Sequence, residues 1–503
     1  MATELEKGQK AGETTTRDAD EFSSLLKQSF KTRNERAASE VQSAISTLVT
    51  QALGDTNLIK GDVLDTIDEM IAQIDKKLSD QMNLIIHSEA FQQIESAWRG
   101  LHYMVTNSET DAQLKIKVMN VSKKELSNNL RMFPGARWDQ SPLFKQIYEQ
   151  EFGQLGGQPY GALVCDYYFD HSPLDVQLMR NLSKVAASAH APLFAAAEPS
   201  LMGMDSWTEL MNPRDLSKVF DTPDYAAWKS LRDSDDSRYL GLCMPRVLSR
   251  LPYGAKSDPV EEFAFEEVMD GHKGENYGWM NAAYAMAANV NRAFKEYGWC
   301  TRIRGVQSGG EVINLPVHTF PTDDGGVDLK CPTEIAITDR REAELSKSGL
   351  IPLIHRKNTD KAAFIGAQSV YAPKRKMDKA TGKTEDATAA ENLSARLPYM
   401  FAVSRFAHYL KCMVRDKVGS NMEQDQLQRW LQDWITLYVD GDPKNSSEHT
   451  KAMKPLAGAK VEVVPNEENP GYYTARFFLR PHYQLEGMDI GMSLVSRLPT
   501  TKT

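Results

Sequence analysis

Between residues 160 and 197 the hydrophobic period of the chain switches from two to helical and back. "YGALVCDYYFD" at 160–170, bounded by Gly and Pro, reads as a strand. "SPLDVQLMRNLSKVAASAHAPLFAAA" after it opens with helical spacing. Upstream, "QLKIKVMNV" near Leu114 shows another period-two run. A strand–helix–strand order of this kind must cover its sheet with helices, so the region is expected to be α/β, mixed α+β over the whole chain, with at least partly parallel strands. Downstream, "GWMNAAYAMAANVNRAFKEYGWC" predicts an Ala-rich helix whose small residues let neighbouring backbones approach, with Gly298 near its C-terminal end. "IRGVQSGGEVINLPVHTF" reads as strand, Gly turn, strand.

A chain of 503 residues has room for two or three domains with separate cores. Its 41% hydrophobic and 25% charged residues fit a globular protein. A formal net charge of −9 gives no electrostatic reason to expect nucleic acid or an anionic membrane as the main partner. The cysteines, Cys165, Cys243, Cys300, Cys331 and Cys412, are widely spaced without a C-x-x-C pair, which suits a reduced, cytoplasmic chain. "MATELEKGQKAGETTTRDADEF" lacks an apolar signal core, and no run approaches the ~20 apolar residues of a membrane span, so no membrane insertion is expected.

The polar first twenty or so residues are expected to be disordered when alone. After them Phe22, Leu25, Leu26 and Phe30 form one stripe of a short amphipathic helix, acidic before it and basic after. Such a stripe docks either on the chain's own core or in a partner's groove, and its length does not separate the two. Residues 63–104 predict a pair of helices with few breakers before Gly100. Lys374, Arg375, Lys376, Lys379 and Lys383 lie in a stretch that has lost its apolar residues, and read as a solvated loop at 371–391. Two helices follow, then the polar stretch "DGDPKNSSEHTKAMKPLAGAK", expected to be a flexible linker over 440–460. The terminal strands are expected at Tyr472–Leu479 and Met488–Val495. In the second, Met488, Ile490, Met492 and Leu494 share one face.

The sequence offers little chemistry. "YGAKS" at 253–257 has Lys and Ser in phosphate-loop order but lacks both required glycines. There is no G-x-S-x-G, H-E-x-x-H or G-x-G-x-x-G. "DGDPKNSSEHTK" starts like a calcium loop, but Lys444, Asn445 and Lys451 occupy the fifth, sixth and twelfth positions. No catalytic residue, cofactor or metal ligand is assigned. His318, His408 and His482 read as hydrogen-bonded structural histidines. "PRVLSRLPYG", "YGWCTRIRG" and "RPHYQLEG" mix aromatics with Arg, as interface anchors do and as ordinary cores with satisfied arginines also do.

Six blocks, "FQQIESAWRGLHYMV", "YGALVCDYYFD", "PRVLSRLPYG", "WMNAAYAMAANVNRAFKEYGWCTRIRGVQSGGEVINLP", "LSARLPYMFAVSRFAHYLK" and "YYTARFFLRPHYQLEGMDIGMSLVSRLP", closely resemble the large sheath subunit of type VI secretion systems, the TssC/VipB family. They run in the family's order from about residue 85 to the end. The resemblance implies a contractile tail-sheath-like fold with an N-terminal helical arm and C-terminal strands shared between subunits. It also implies a machine part without catalysis. Such a subunit pairs with the small sheath subunit (TssB/VipA) and further copies of itself in a helical sheath around an inner tube, is built on a baseplate, and is dismantled by a Clp-type AAA+ unfoldase.

On that resemblance residues 1–60 are a flexible arm whose helix, with Phe22, Leu25, Leu26 and Phe30, is recognised by the unfoldase. Residues 61–110 are a helical pair contacting the small subunit, 111–440 the α/β sheath core, and 441–503 the linker and sheath strands. Phe477, Leu479, Met488, Ile490, Met492 and Leu494 are the inter-subunit strand residues. Two other readings stand beside it. One is a cytosolic α/β enzyme whose site is assembled from distant residues, around His318 or Asp166. The other is a scaffold that binds a partner without polymerising.

Overall fold

The computed structural model describes Ser43 and residues 63–212, 215–322, 324–374, 389–465 and 473–485. The stripe Phe22–Phe30, the strand Met488–Val495 and most of the basic loop lie outside these residues. The chain divides into two compact units, one of the residues up to Ile94 with Leu251–Tyr277, the other of Glu95–Arg250 with the residues from Gly278 onward.

In the first unit the long helix α1 (Val63–Ile86) leads into α2 (Glu89–Thr106), whose first residues belong here. The α1 side chains facing the unit are unusual. Ser79 and Asn83 are buried with Ile86. Asn83 donates to the Glu266 carbonyl and accepts from the Val268 amide, while His87 meets Glu267 at 3.2 Å, so polar bonds fix the returning segment 266–268.

The second unit is built on a six-stranded sheet. Strand β1 (Leu163–Phe169) is followed by α3 (Pro173–Ala189) and β2 (Leu193–Ala197), then by β3 (Leu240–Met244), α4 (Ala282–Tyr297) and β4 (Glu311–Val312). Strands β5 (Leu350–His355) and β6 (Ala362–Phe364) complete it in the order β1-β2-β3-β5-β6-β4. The first four are parallel; β6 and β4 run antiparallel to their neighbours. Alternation divides the side chains between two cores. Leu193, Ala195, Leu240, Leu242 and Leu350 join α3 on one face; Phe194, Cys243, Ile351 and Leu353 join α4 on the other.

Helix ends follow local chemistry. The Ser172 hydroxyl accepts from the Asp175 amide at the start of α3, with Pro173 in the first turn. Asn281 caps α4, and Gly298 at φ +76° closes it in the left-handed region. Gly100 of α2 packs on α4 so closely that a Cβ would overlap the Tyr284 ring.

Two expectations are corrected here. "QLKIKVMNV" pairs with no strand among the described residues, because alternation specifies two faces but not a partner. The expected flexible linker over 440–460 instead holds a short helix, α7 (Glu448–Met453), and the start of a strand, after the helices α5 (Leu397–Lys417) and α6 (Gln424–Thr436). Asp440 anchors it. Its amide donates to the Leu456 carbonyl at 2.9 Å, and its carboxylate accepts from Ser446 and from the Asp442 amide.

Candidate interaction surfaces

Strands β7 (Leu456–Pro465) and β8 (Tyr473–Pro481) form an antiparallel pair in the register Val461↔Phe477 and Val463↔Ala475. β-Branched residues at 461 and 463 and aromatics at 477 and 478 suit a pleated, half-covered surface. One face packs on α5 and α6. Val461, Val463, Ala475, Phe477 and Leu479 pack with Phe406, Leu431, Ile435 and Trp299, whose ring stacks on Phe406 at 4.5 Å. Thr474, Arg476, Phe478 and Arg480 point the other way, to solvent. The side chains of Phe477 and Leu479, expected as inter-subunit residues, therefore sit in this chain's own core.

The outer edge of β7 is occupied by a helix. Gln424 donates to the Val463 carbonyl at 2.8 Å and Gln428 accepts from the Val463 amide at 3.1 Å. Gln432 accepts from Val461 at 2.8 Å and donates to the Ala459 carbonyl at 3.2 Å. Residues 459, 461 and 463 thus turn their main-chain groups away from β8. In an antiparallel pair the residues opposite them, Leu479, Phe477 and Ala475, must also turn theirs outward. Among the described residues nothing else bonds to the outward amides and carbonyls of that β8 edge. The sequence contained this signal, glutamines at i, i+4 and i+8 in "QDQLQRWLQ", but such residues read as a solvated helix face.

Past β8 the chain is tied down. The His482 ring nitrogen bonds the Lys454 carbonyl at 3.0 Å; burial pushes its imidazole below the ordinary value, against the pull of that carbonyl and of Asp440. The Gln484 side chain accepts from Arg304 at 2.7 Å and donates to the Thr301 carbonyl at 2.9 Å, while its amide donates to the Tyr399 hydroxyl. Arginines in the aromatic–Arg blocks are engaged within the chain: Arg246 holds Glu334 through two bonds, Arg250 meets Glu95 at 2.6 Å, and Arg302 bonds the Glu448 carbonyl. These are satisfied structural arginines.

A second surface belongs to the helices. On α1, Ile71, Ile74, Leu78, Met82 and Ile85 recur at helical spacing along one stripe, all exposed, although the buried positions beside them include Ser79 and Asn83. The apolar stripe of α1 is thus left exposed while polar side chains of the same helix are buried. In the second unit the α2 residues Leu101 and Val105 line an open groove with Leu114, Ile116 and Val118, and Trp98 is 68% exposed.

The residues considered for catalysis do not converge. Asp166 lies on β1, hydrogen-bonded to Asn281 and Tyr284, its pKa raised by burial; His318 stacks on Phe320 in a separate segment. Among the described residues no group of three His, Cys, Asp or Glu could hold a metal, and no helix is long and apolar enough to cross a membrane.

The EvpB/VC_A0108 tail sheath N-terminal domain (VipB) matches residues 68–371, and the tail sheath gpW/gp25-like domain of the same type matches 386–498. The "Type VI secretion system sheath protein TssC1" of Pseudomonas aeruginosa is 62% identical over 491 residues, 98% of this chain and 97% of that protein. Among solved structures, a chain of the cryo-EM structure of the anti-feeding prophage (AFP) baseplate, 6-fold symmetrised, matches 77% of this chain and 84% of its own at 11% identity and a TM-score of 0.38.

Proposed function

This chain belongs to the EvpB/VipB family of tail sheath proteins, structural subunits of the type VI secretion sheath, and we propose how its surfaces serve that role. It acts in the cytoplasm as the large subunit, without catalysis. It pairs with a small sheath subunit, polymerises with further copies around an inner tube on a baseplate, and contracts to drive the tube outward. The exposed stripe of α1 and the groove beside α2 suit the small subunit, because each leaves apolar surface bare that a permanent partner would cover.

The observation that carries the polymer reading is the outer edge of β8, to which no described residue bonds. Subunits that rotate while staying connected need joints of main-chain hydrogen bonds at the ends of tethers, and an open edge takes an added strand in that way. Met488–Val495 of a neighbouring copy is the strand assigned to it, with Ile490 and Leu494 on its buried face. The helix with Phe22, Leu25, Leu26 and Phe30 is assigned to the Clp-type unfoldase.

Co-expression with the small subunit tests the reading by negative-stain microscopy. Long hollow tubules are expected, and monodisperse complexes at high concentration would instead support the non-polymerising scaffold. Ile490→Asp with Leu494→Asp is expected to abolish tubules. Leu25→Asp with Leu26→Asp is expected to leave tubules intact and block their disassembly.

A further inference from the structure

We propose that Gln424, Gln428 and Gln432 act as an edge guard that makes strand addition to this sheet one-sided, closing β7 so that a neighbour's strand can join only at β8. The proposal rests on the reading of β8 as the joint between subunits, and adds what restricts the joint to one place.

A two-stranded sheet has two outer edges, and either is a template for another strand. If both accepted strands, each subunit could join neighbours in two directions, and assembly would branch rather than follow one lattice. Here the edges differ. On β7 three glutamine side chains satisfy the amides of Val461 and Val463 and the carbonyls of Ala459 and Val463. On β8 the matching groups of Ala475, Phe477 and Leu479 meet no described residue.

The guard works because two repeats nearly coincide. Four residues of α-helix rise about 6 Å and two residues of strand about 6.8 Å, so glutamines four apart keep step with alternate strand residues across this short span. The residue type matters as well. A glutamine carries an acceptor and a donor on one flexible stem, so it can answer both kinds of edge group, as Gln432 does in bonding the Val461 amide and the Ala459 carbonyl. A leucine would fill the space and answer neither; a glutamate would answer only the amide.

The test uses the full chain co-expressed with the small subunit and reads two quantities. Hydrogen exchange of the 456–465 peptide measures the guard itself. With Gln428→Leu and Gln432→Leu, exchange at Val461 and Val463 is expected to rise about tenfold while that of the six-stranded sheet stays unchanged. Assembly in an Ala475→Pro background, where the proline removes an outward amide of β8 without deleting a large core side chain, measures the consequence. Ala475→Pro alone is expected to give no tubules, and adding the two leucines to restore association through β7 as irregular aggregates rather than tubules.

If exchange at 461 and 463 is unchanged, or if the leucines leave the blocked chain as unassociated as before, the guard proposal is overturned. Tubules formed normally by Ala475→Pro would overturn the reading of β8 as the joint, while the exchange result still decides whether the glutamines close β7. Should leucine disturb α6, Gln432→Glu keeps the bond to the Val461 amide and removes the donor to Ala459. Exchange between wild type and the leucine variant then supports the guard, and exchange equal to wild type, with no association in the Ala475→Pro background, counts against it.

Discussion

In the sheet that runs from β1 to β4 both faces are covered by helices and the strand residues are divided between two cores; in the pair β7–β8 one face is covered, one edge is bonded by glutamines and the other meets no described residue. The first arrangement spends the hydrophobic pattern on this chain alone. The second leaves main-chain groups of β8 that no described residue satisfies and that an added strand could. The contrast teaches where fold and assembly are separable: substitutions in the first sheet act on folding, and those at the rim of the second act on association.

The largest effect is expected at the closed sheet. Leu242 is 1% exposed on β3, and Leu242→Asp places a carboxylate among α3-facing side chains with no partner. A loss of about 4 kcal/mol or more is expected, seen as disappearance of soluble folded chain. Survival of a folded Leu242→Asp chain would break the comparison at its stronger end.

The next effect depends on pH. His408 on α5 is buried, its Nε2–H donating to the Ala189 carbonyl at 2.8 Å, and burial, with Arg405, His190 and Lys411 nearby, lowers its pKa to about 4. Between the ordinary value near 6.5 and about 4 the unfolded chain binds the proton that the folded chain refuses. Stability contributed by the neutral ring is therefore fully present above about pH 6.5 and lost as pH falls toward 4, by about 3 kcal/mol. Denaturant titrations at pH 7.5 and 5 are expected to show about 2 kcal/mol of it, and His408→Gln is expected to flatten the difference.

Much of the closed sheet was legible in the sequence, because its pattern is local. β1, the Ala-rich α4, the cap at Gly298 and the helices α5 and α6 follow from period, caps and breakers. What stayed hidden depends on contacts between residues far apart. "QLKIKVMNV" has a strand's alternation, but nothing local decides whether a strand lies beside it. The polar stretch 440–460 looked loose, and is held by Asp440 on Leu456 and by Arg302 on Glu448. Phe477 and Leu479 were recognisable as strand residues. That their side chains serve the core while their main chain serves the edge follows only from the register with β7.

A smaller effect is expected where the tail leaves β8. Gln484→Ala removes the bonds to Arg304 and to the Thr301 carbonyl but keeps its amide bond to Tyr399. The cost is about 1–2 kcal/mol, local to the tail, and is read as faster exchange around residues 482–485 with an unchanged global transition. A change in the global midpoint would show that the tail belongs to the same cooperative unit as the sheets.

The smallest effect on folding is expected at Phe478, which is 54% exposed on the outward face of β8, beside Arg476 and Arg480. Phe478→Asp removes little buried apolar area and places a carboxylate between two cations, so stability is expected to stay within about 0.5 kcal/mol of wild type by chemical denaturation. A strand added at the β8 edge would lie in the same sheet, where cross-strand neighbours interact directly, so the same substitution is expected to weaken tubule formation. The contrast between the two sheets requires both halves of that result. A large loss of stability would mean that the outward face is covered within the chain, and unimpaired assembly would mean that the joining strand presents nothing to Phe478.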